Sequence, residues 1–545
     1  MIRISSPVRL AGLLLAFFTV VVAQAPAASS QRSEWQIAGK VISAADGQPL
    51  SHAQVTIRSV ADNNFAQAML TAGDGRFLFR GLDPGKYVLQ AKHHGFVTEG
   101  YQQHGSFFTG IAVGPDLPSP NLLFRLQPEG YISGTIVDEA GDPVRRAQVM
   151  LLHKSLVNGE WATRSVNSTT SNDQGSYHFG QLLPGAYFVC VNTQPWYAQT
   201  ERQITEAAGA NAERSPLDVA YPLTCYQDVT NLSDATLIDL QAGGHASADL
   251  TLTAVPAQHL VVRMADTTSV SAFSAMLSQQ VSEGNPISFG VTFRKVGPGV
   301  FESTGVPPGN YEMELQFYDP KAGRQQKAQS RAVEAGKDDE IDLSEPAPSA
   351  AVSGTVRFIP AIKPPAHLFF TLSHGESVFA AEISSHSEFV FDRAVPPGQY
   401  EVGSSFTGGL FVVSVTATGA KVAGRTLQIT SPDPVVLRVV MARGVGEIKG
   451  TAMRDSKPVS GALVVLVPLD PANNTPLFRA DQSDSDGTFT LPSVVPGKYT
   501  VVAIDNGWGL EWKNPAALKP YLPHGEVLEV APEGRYNIKP KVQDF

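Results

Sequence analysis

The chain has 545 residues, with 48 Gly, 39 Pro, only two Cys and a formal net charge of −10. That acidic balance argues against a nucleic-acid or anionic-membrane partner, because both need a basic face. Abundant turn formers and scarce helix-forming runs point to many short strands, and the length suggests three to five domains.

Residues 1–25 read as a secretory signal: Arg3 and Arg9, an apolar run over 10–23, then Ala23-Gln24-Ala25 before Pro26. The run is too short for a stable membrane span. Cleavage is expected after Ala25, with Ala27 or Ala28 as the alternative, and it takes the net charge to −12. No later stretch approaches membrane length, so the mature protein is expected to be soluble and to have no transmembrane segment. It is expected to be secreted, to the periplasm or to the extracellular space and cell surface.

Pro-Gly-x-Tyr then recurs five times, ending at Tyr87, Tyr187, Tyr311, Tyr400 and Tyr499. The copies lie roughly a hundred residues apart, beyond the 20 to 50 of stacked solenoids, so each marks one domain. The expected domains are 31–128, 129–256 with an insertion, a divergent 257–347, 348–443 and 444–545. In the first, Ile37-Ala38-Gly39-Lys40-Val41 is a strand whose glycine admits a neighbouring backbone or ring. Strands over 53–57, 77–79 and 87–89 follow, with Asp74-Gly75 as a turn. In the last domain the unbroken apolar run 462–467 suits a strand buried on both sides. The third keeps little beyond Phe301 and its Pro308-Gly309-Asn310-Tyr311 corner.

A Tyr just after such a corner is expected to be buried, with its hydroxyl bonded to backbone. About seven short strands per unit give an all-β chain of tandem Greek-key sandwiches of immunoglobulin or transthyretin type. Short linkers imply a semi-extended array. Cys190 and Cys225, exported to an oxidising compartment, are expected to form a disulfide; a redox pair would want a Cys-x-x-Cys spacing.

The pattern of a Gly in the first strand, Gly/Asp-x-Pro followed by an apolar residue, Ala-x-Val, Asp-x-x-Gly-x-Phe/Tyr and Pro-Gly-x-Tyr resembles the carboxypeptidase regulatory-like domain. That is a transthyretin-like sandwich grouped with starch-binding-like folds and related to collagen-adhesin B-type repeats. The resemblance covers the first, second and fifth units well, the fourth in part and the third only at its corner. It implies an accessory module that supports, binds or spaces. B-type repeats carry an internal Lys-Asn isopeptide bond. Lys40 and Lys449 lie in first strands here, but Thr135 and Thr355 take the matching places, which counts against such a bond.

No His-x-x-Glu with a later His, no Gly-x-Ser-x-Gly elbow and no phosphate-binding glycine loop occurs, so no catalytic residue and no cofactor are assigned. Asp481, Asp484 and Asp486 before Gly487 are a candidate calcium site, with Asn172-Asp173 as a weaker echo; a tight turn selects the same residues. His93, His94 and His104 are a second metal candidate. Trp508, Trp512 and Tyr521 are candidate carbohydrate platforms, with Trp196-Tyr197 and Phe107-Phe108 behind them, against the alternative that loop aromatics seal a sandwich end. The sequence thus points to a secreted, non-enzymatic, multi-domain cell-envelope protein that spaces or binds, with a polysaccharide or another envelope protein as partner. The alternative is an accessory part of a hydrolase or of a TonB-dependent receptor-type uptake system.

Overall fold

The computed structural model describes residues 35–545 except 116, 118–119, 199–214, 265–271, 283–284, 316–317, 320–323, 326–328, 336–339, 343–348, 376 and 406–407. The expected signal and cleavage site lie outside the described residues. Among those residues, no helix is long and apolar enough to cross a membrane.

One plan serves every domain and is clearest in the first. Trp35–Ser43 pairs antiparallel with Arg76–Leu82 and parallel with Asn121–Leu126, forming one sheet. Gln54–Ser59 pairs antiparallel with Ala66–Leu70 and Gly85–Lys92 in the other. Alternate residues such as Ile37, Phe77, Phe79, Tyr87 and Phe124 turn inward, so the two sheets close on a single apolar core. Parallel neighbours cannot be joined by a tight hairpin, so the closing strand must cross over, as a Greek key does. The same parallel closure joins Gly130–Val137 to His245–Ser247, Gln258–Arg263 to Glu340–Asp342, Val352–Ile359 to Val435–Arg443 and Gly446–Thr451 to Arg535–Ile538. Each domain has its own buried core.

The repeated tyrosine is a structural corner in all five domains. The hydroxyls of Tyr87, Tyr187, Tyr311, Tyr400 and Tyr499 each donate to the carbonyl four residues back, at 2.9, 2.8, 3.0, 2.8 and 2.7 Å. Burial of the ring pushes the Tyr187, Tyr311, Tyr400 and Tyr499 hydroxyls up to about 12, so they remain donors at any ordinary pH.

The glycine of the first strand is there for space. A Cβ on Gly39 would lie 2.5 Å from Phe77 Cζ and 2.6 Å from the Leu122 carbonyl, and Gly354 and Gly450 meet Phe389 and Phe489 in the same way. In the third domain the equivalent residue is Val262, opposite Phe301 and Ile341. Phe301 there packs edge-on to Phe273 instead, which itself stacks on Phe293 at 4.9 Å. The third unit keeps the parallel closing strand and the corner tyrosine around a rebuilt core. Its Asn285–Gly297 strand runs through both layers, pairing with Ala272–Ser282 and Val300–Val306, so seven strands join in one sheet.

A further shared device involves the hydroxyls of Thr71, Ser171 and Ser483. Each sits four residues before a turn glycine and ties two backbone segments together. Ala53, Ala147 and Ala462 amides donate to them, and they donate to the Leu50, Val144 and Val459 carbonyls at 2.6, 2.6 and 2.7 Å.

The expectation of a semi-extended array is corrected. Domain two meets domain three where His259 bridges Asp218 (2.6 Å) and Glu302 (2.9 Å), and domain three meets domain four through Glu314 and Arg393 (3.2 Å). Domain four meets domain five where the Arg425 amide donates to the Asn473 carbonyl (2.7 Å). The first and fifth domains also touch directly. Short linkers do not hold the sandwiches apart because lateral polar and apolar contacts draw them together.

Candidate functional site

The richest cluster of chemistry-bearing side chains lies where the fifth domain docks on the first. The turn 483–487 is closed by its own backbone, with the Asp484 amide donating to the Thr488 carbonyl and the Gly487 amide to that of Asp484, both at 2.8 Å. Gly487 takes a left-handed φ of 77°, which an L side chain rarely adopts. The turn leaves Asp484 and Ser485 facing the strand Ile111–Val113 of domain one.

There they act like one more strand edge. Gly110 and Ala112 amides donate to Asp484 Oδ1 and Ser485 Oγ, both at 2.8 Å, and the Ser485 amide donates to the Gly110 carbonyl at 2.9 Å. Lys86 pairs with Asp484 and donates to Thr488 Oγ1 at 2.7 Å. Beside this, Gln482 is only 2 % exposed. Its Nε2 donates to the Gln102 carbonyl and Thr109 Oγ1, both at 2.7 Å. That leaves Oε1 as the acceptor, so His104 Nδ1, 3.0 Å away, carries the proton and donates. The Trp508 ring stacks on His104 at 4.7 Å and 4° and lies against Phe107, while its Nε1 donates to the Gly461 carbonyl at 3.0 Å.

Burial dominates the electrostatics. It holds the His104 imidazole below its ordinary range. It also pushes the Asp481 and Asp484 carboxyls up, with Lys86 drawing Asp484 partly back.

The candidate metal groups are not brought together. Asp481 accepts from the Gln482 (2.9 Å) and Thr490 (2.7 Å) amides, and Asp486 accepts from the Thr488 amide and hydroxyl inside the turn. Asp484 is taken by Gly110 and Lys86. His93 bonds the Ser51 and His94 carbonyls rather than joining His104. Among the described residues, no three His, Cys, Asp or Glu side chains are placed to hold a metal.

The candidate carbohydrate platforms Trp508, Trp512 and Tyr521 lie in packing positions. Trp512, 7 % exposed, packs near Phe478 and against the backbone of Gly159, at the tip of the domain-two hairpin formed by Gln148–Val157 and Glu160–Thr170. Lys513 then bonds Gly159 through its amide (3.2 Å) and pairs with Glu160 (2.9 Å). Trp508, Tyr521 and Trp512 belong to one apolar layer on the outer face of Leu463–Pro468, which is why that strand is buried on both sides as its sequence predicts. Their ring faces are spent on packing between and within domains.

The disulfide is present. Cys190 and Cys225 are fully buried and directly opposite on neighbouring strands, with Cα atoms 4.0 Å apart. Met150, Leu152 and Leu223 pack around it, and Ile287 of domain three leans on that layer, so the cysteine-bounded insertion helps build the contact between the second and third domains.

The chain has no match among curated proteins. Among solved structures, GBS52, the minor pilin of Streptococcus agalactiae, aligns over 41 % of this chain and 97 % of its own, at 12 % identity and a TM-score of 0.21. A streptococcal ancillary pilin aligns over 57 % and 98 % at 9 % identity and 0.19, and the TIE protein of Bacillus anthracis over 92 % and 73 % at 10 % identity and 0.16. These likenesses are too distant to bear on activity. The model of the BOS complex subunit NOMO1-like second beta sandwich domain matches residues 447–519. The carboxypeptidase regulatory-like domain model matches residues 36–119 and 131–220, so the first two domains carry that family's sequence pattern, as their motifs implied.

Proposed function

We propose that this is a secreted, non-enzymatic structural protein of the cell envelope, in which five sandwiches are locked into a closed scaffold rather than strung out as a flexible spacer. One observation carries the reading. The side chains best suited to chemistry, Asp484, His104, Gln482 and Trp508, are each committed to a partner across the contact between the first and last domains.

Contacts between domains of one chain ordinarily permit relative motion. This one is intramolecular, so a contact that would be weak between separate molecules is favoured here by the connection through the intervening domains. The fifth domain also holds the second through Trp512 and Lys513 and the fourth through Asn473, which braces the closure from three sides.

The test joins fractionation to an activity screen. The protein is expected in the periplasmic or surface fraction, and the purified chain is expected to turn over no ester, peptide or glycoside substrate. Turnover of any of these, abolished by a single side-chain substitution, overturns the reading.

A further inference from the structure

The outer face of the second domain's first sheet is unlike those of its neighbours. Three strands, Gly130–Val137, Ser176–Leu182 and His245–Ser247, bring three rings together: His245 lies directly opposite Tyr131, and His178, opposite Ser133, lies diagonally from it. Tyr131, 40 % exposed, stacks on His245 with centroids 4.3 Å apart and planes 18° apart, and on its other side lies 5.5 Å from His178. His178 extends along its own strand over Gly180, where a Cβ would sit 3.2 Å from Nε2. The missing side chain lets that imidazole lie down on the sheet.

Hydroxyls and one carboxylate surround the rings. Ser133 Oγ lies 3.1 Å from His245 Nε2, and Asp249 Oδ1 accepts from the Thr135 amide (2.8 Å) and hydroxyl (2.9 Å). Among the described residues, none of these three strands carries a lysine or arginine. The equivalent face of domain one carries Lys40, Arg76, Arg80 and Arg125, and that of domain five Lys449 and Arg535.

We propose that this face binds a neutral saccharide chain. Planar rings on a flat, exposed sheet suit the C–H faces of sugar rings, and closely spaced hydroxyl, imidazole and carboxylate groups suit a ligand made of hydroxyls. The lack of basic side chains on these three strands, with Asp249 present, selects against uronates and phosphates, whose negative charge the neighbouring domains' faces would suit better. Tyr131, His178 and His245 take no part in the hydrogen bonds and ring contacts that join domains one and five. The proposal rests on the envelope reading only for where a glycan would be met, and the scaffold stands whether or not one binds.

The test is affinity electrophoresis of the full chain in gels containing amylose, β-1,3-glucan, xylan or, as the anionic comparison, alginate. Retardation by at least one neutral polysaccharide is expected, unaffected by 0.5 M salt to about the extent that charge screening permits. Tyr131→Ala and His178→Ala are expected to weaken it at least about tenfold, the loss of roughly one stacking contact at 1.4 kcal/mol per decade. Lys40→Ala, on the matching face of domain one, is expected to leave it unchanged. Both rings are exposed, so the variants should melt as the parent does, and melting curves check this. Failure of all three neutral polysaccharides to retard the chain overturns the proposal, as does retardation by alginate alone or binding that survives in Tyr131→Ala/His178→Ala.

Discussion

Replacing Asp484 with Ala should open the contact between the first and last domains without unfolding either. The substitution removes the acceptor of the Gly110 amide and the partner of Lys86. Leaving a buried amide without an acceptor costs about 1–3 kcal/mol. Lys86 is about a third exposed, so its lost pairing adds only about 0–1 kcal/mol. A total near 2–3 kcal/mol shifts closure by roughly 30- to 150-fold. Native-state hydrogen exchange reads this directly. Peptides covering 101–113 and 479–491, more than 350 residues apart in sequence, should lose protection together and by a similar factor, while peptides over the Trp35–Ser43 and Gly446–Thr451 strands keep theirs. A cycle with Lys86→Met should show coupling, since the two side chains touch. Protection lost in one segment and not the other, or in neither, refutes the reasoning.

Gly39→Ala should destabilise the first domain by about 1–3 kcal/mol, because the new methyl overlaps the Phe77 ring and a backbone carbonyl; domain-resolved melting measures it, and an unchanged first transition counts against the packing argument. Replacing both Cys190 and Cys225 by Ser should cost about 4 kcal/mol in the chain-entropy description of a 35-residue loop, seen as a lower denaturation midpoint for domain two and, through Ile287, looser protection of domain three. Closure should also weaken on mild acidification. His104 is held neutral by burial, so its folded pKa lies below the unfolded value; its contribution is present above about 6.5 and fades as the pH falls through that value toward the lowered one. Asp484, whose carboxyl is pushed up, works in the opposite sense at lower pH, where taking up a proton relieves its burial. Trp508 fluorescence between pH 7.5 and 5.5 should report the loss, and His104→Asn should abolish that pH dependence.

The sequence made some of this legible for local reasons. Pro-Gly-x-Tyr announces its corner because the tyrosine bonds a carbonyl only four residues away, so the whole device lies in one short window. The doubly buried strand Leu463–Pro468 shows as an unbroken apolar run, although not what covers its second face. Thr71, Ser171 and Ser483 were readable in principle, since each stands four residues before a turn glycine, but a hydroxyl before a turn looks ordinary until its two backbone partners are seen. The third domain hid because Val262 replaces the marker glycine. Asp484 could not be placed at all: an aspartate in a tight turn has the same neighbours in sequence whether it binds calcium, caps the turn or holds Lys86. The tryptophans were ambiguous for the same reason, as stacking on His104 and stacking on a sugar demand the same side chain.

Small-angle X-ray scattering of the mature chain tests the closed scaffold most directly. Five sandwiches of about a hundred residues, each with a radius of gyration near 13 Å, give roughly 50 Å when strung in a row and roughly 30 Å when the fifth returns to the first. The closed scaffold requires a value near the lower figure, rising in a variant that combines Asp484→Ala with Trp508→Ala. A value near the upper figure, the same in the parent and the variant, would contradict it.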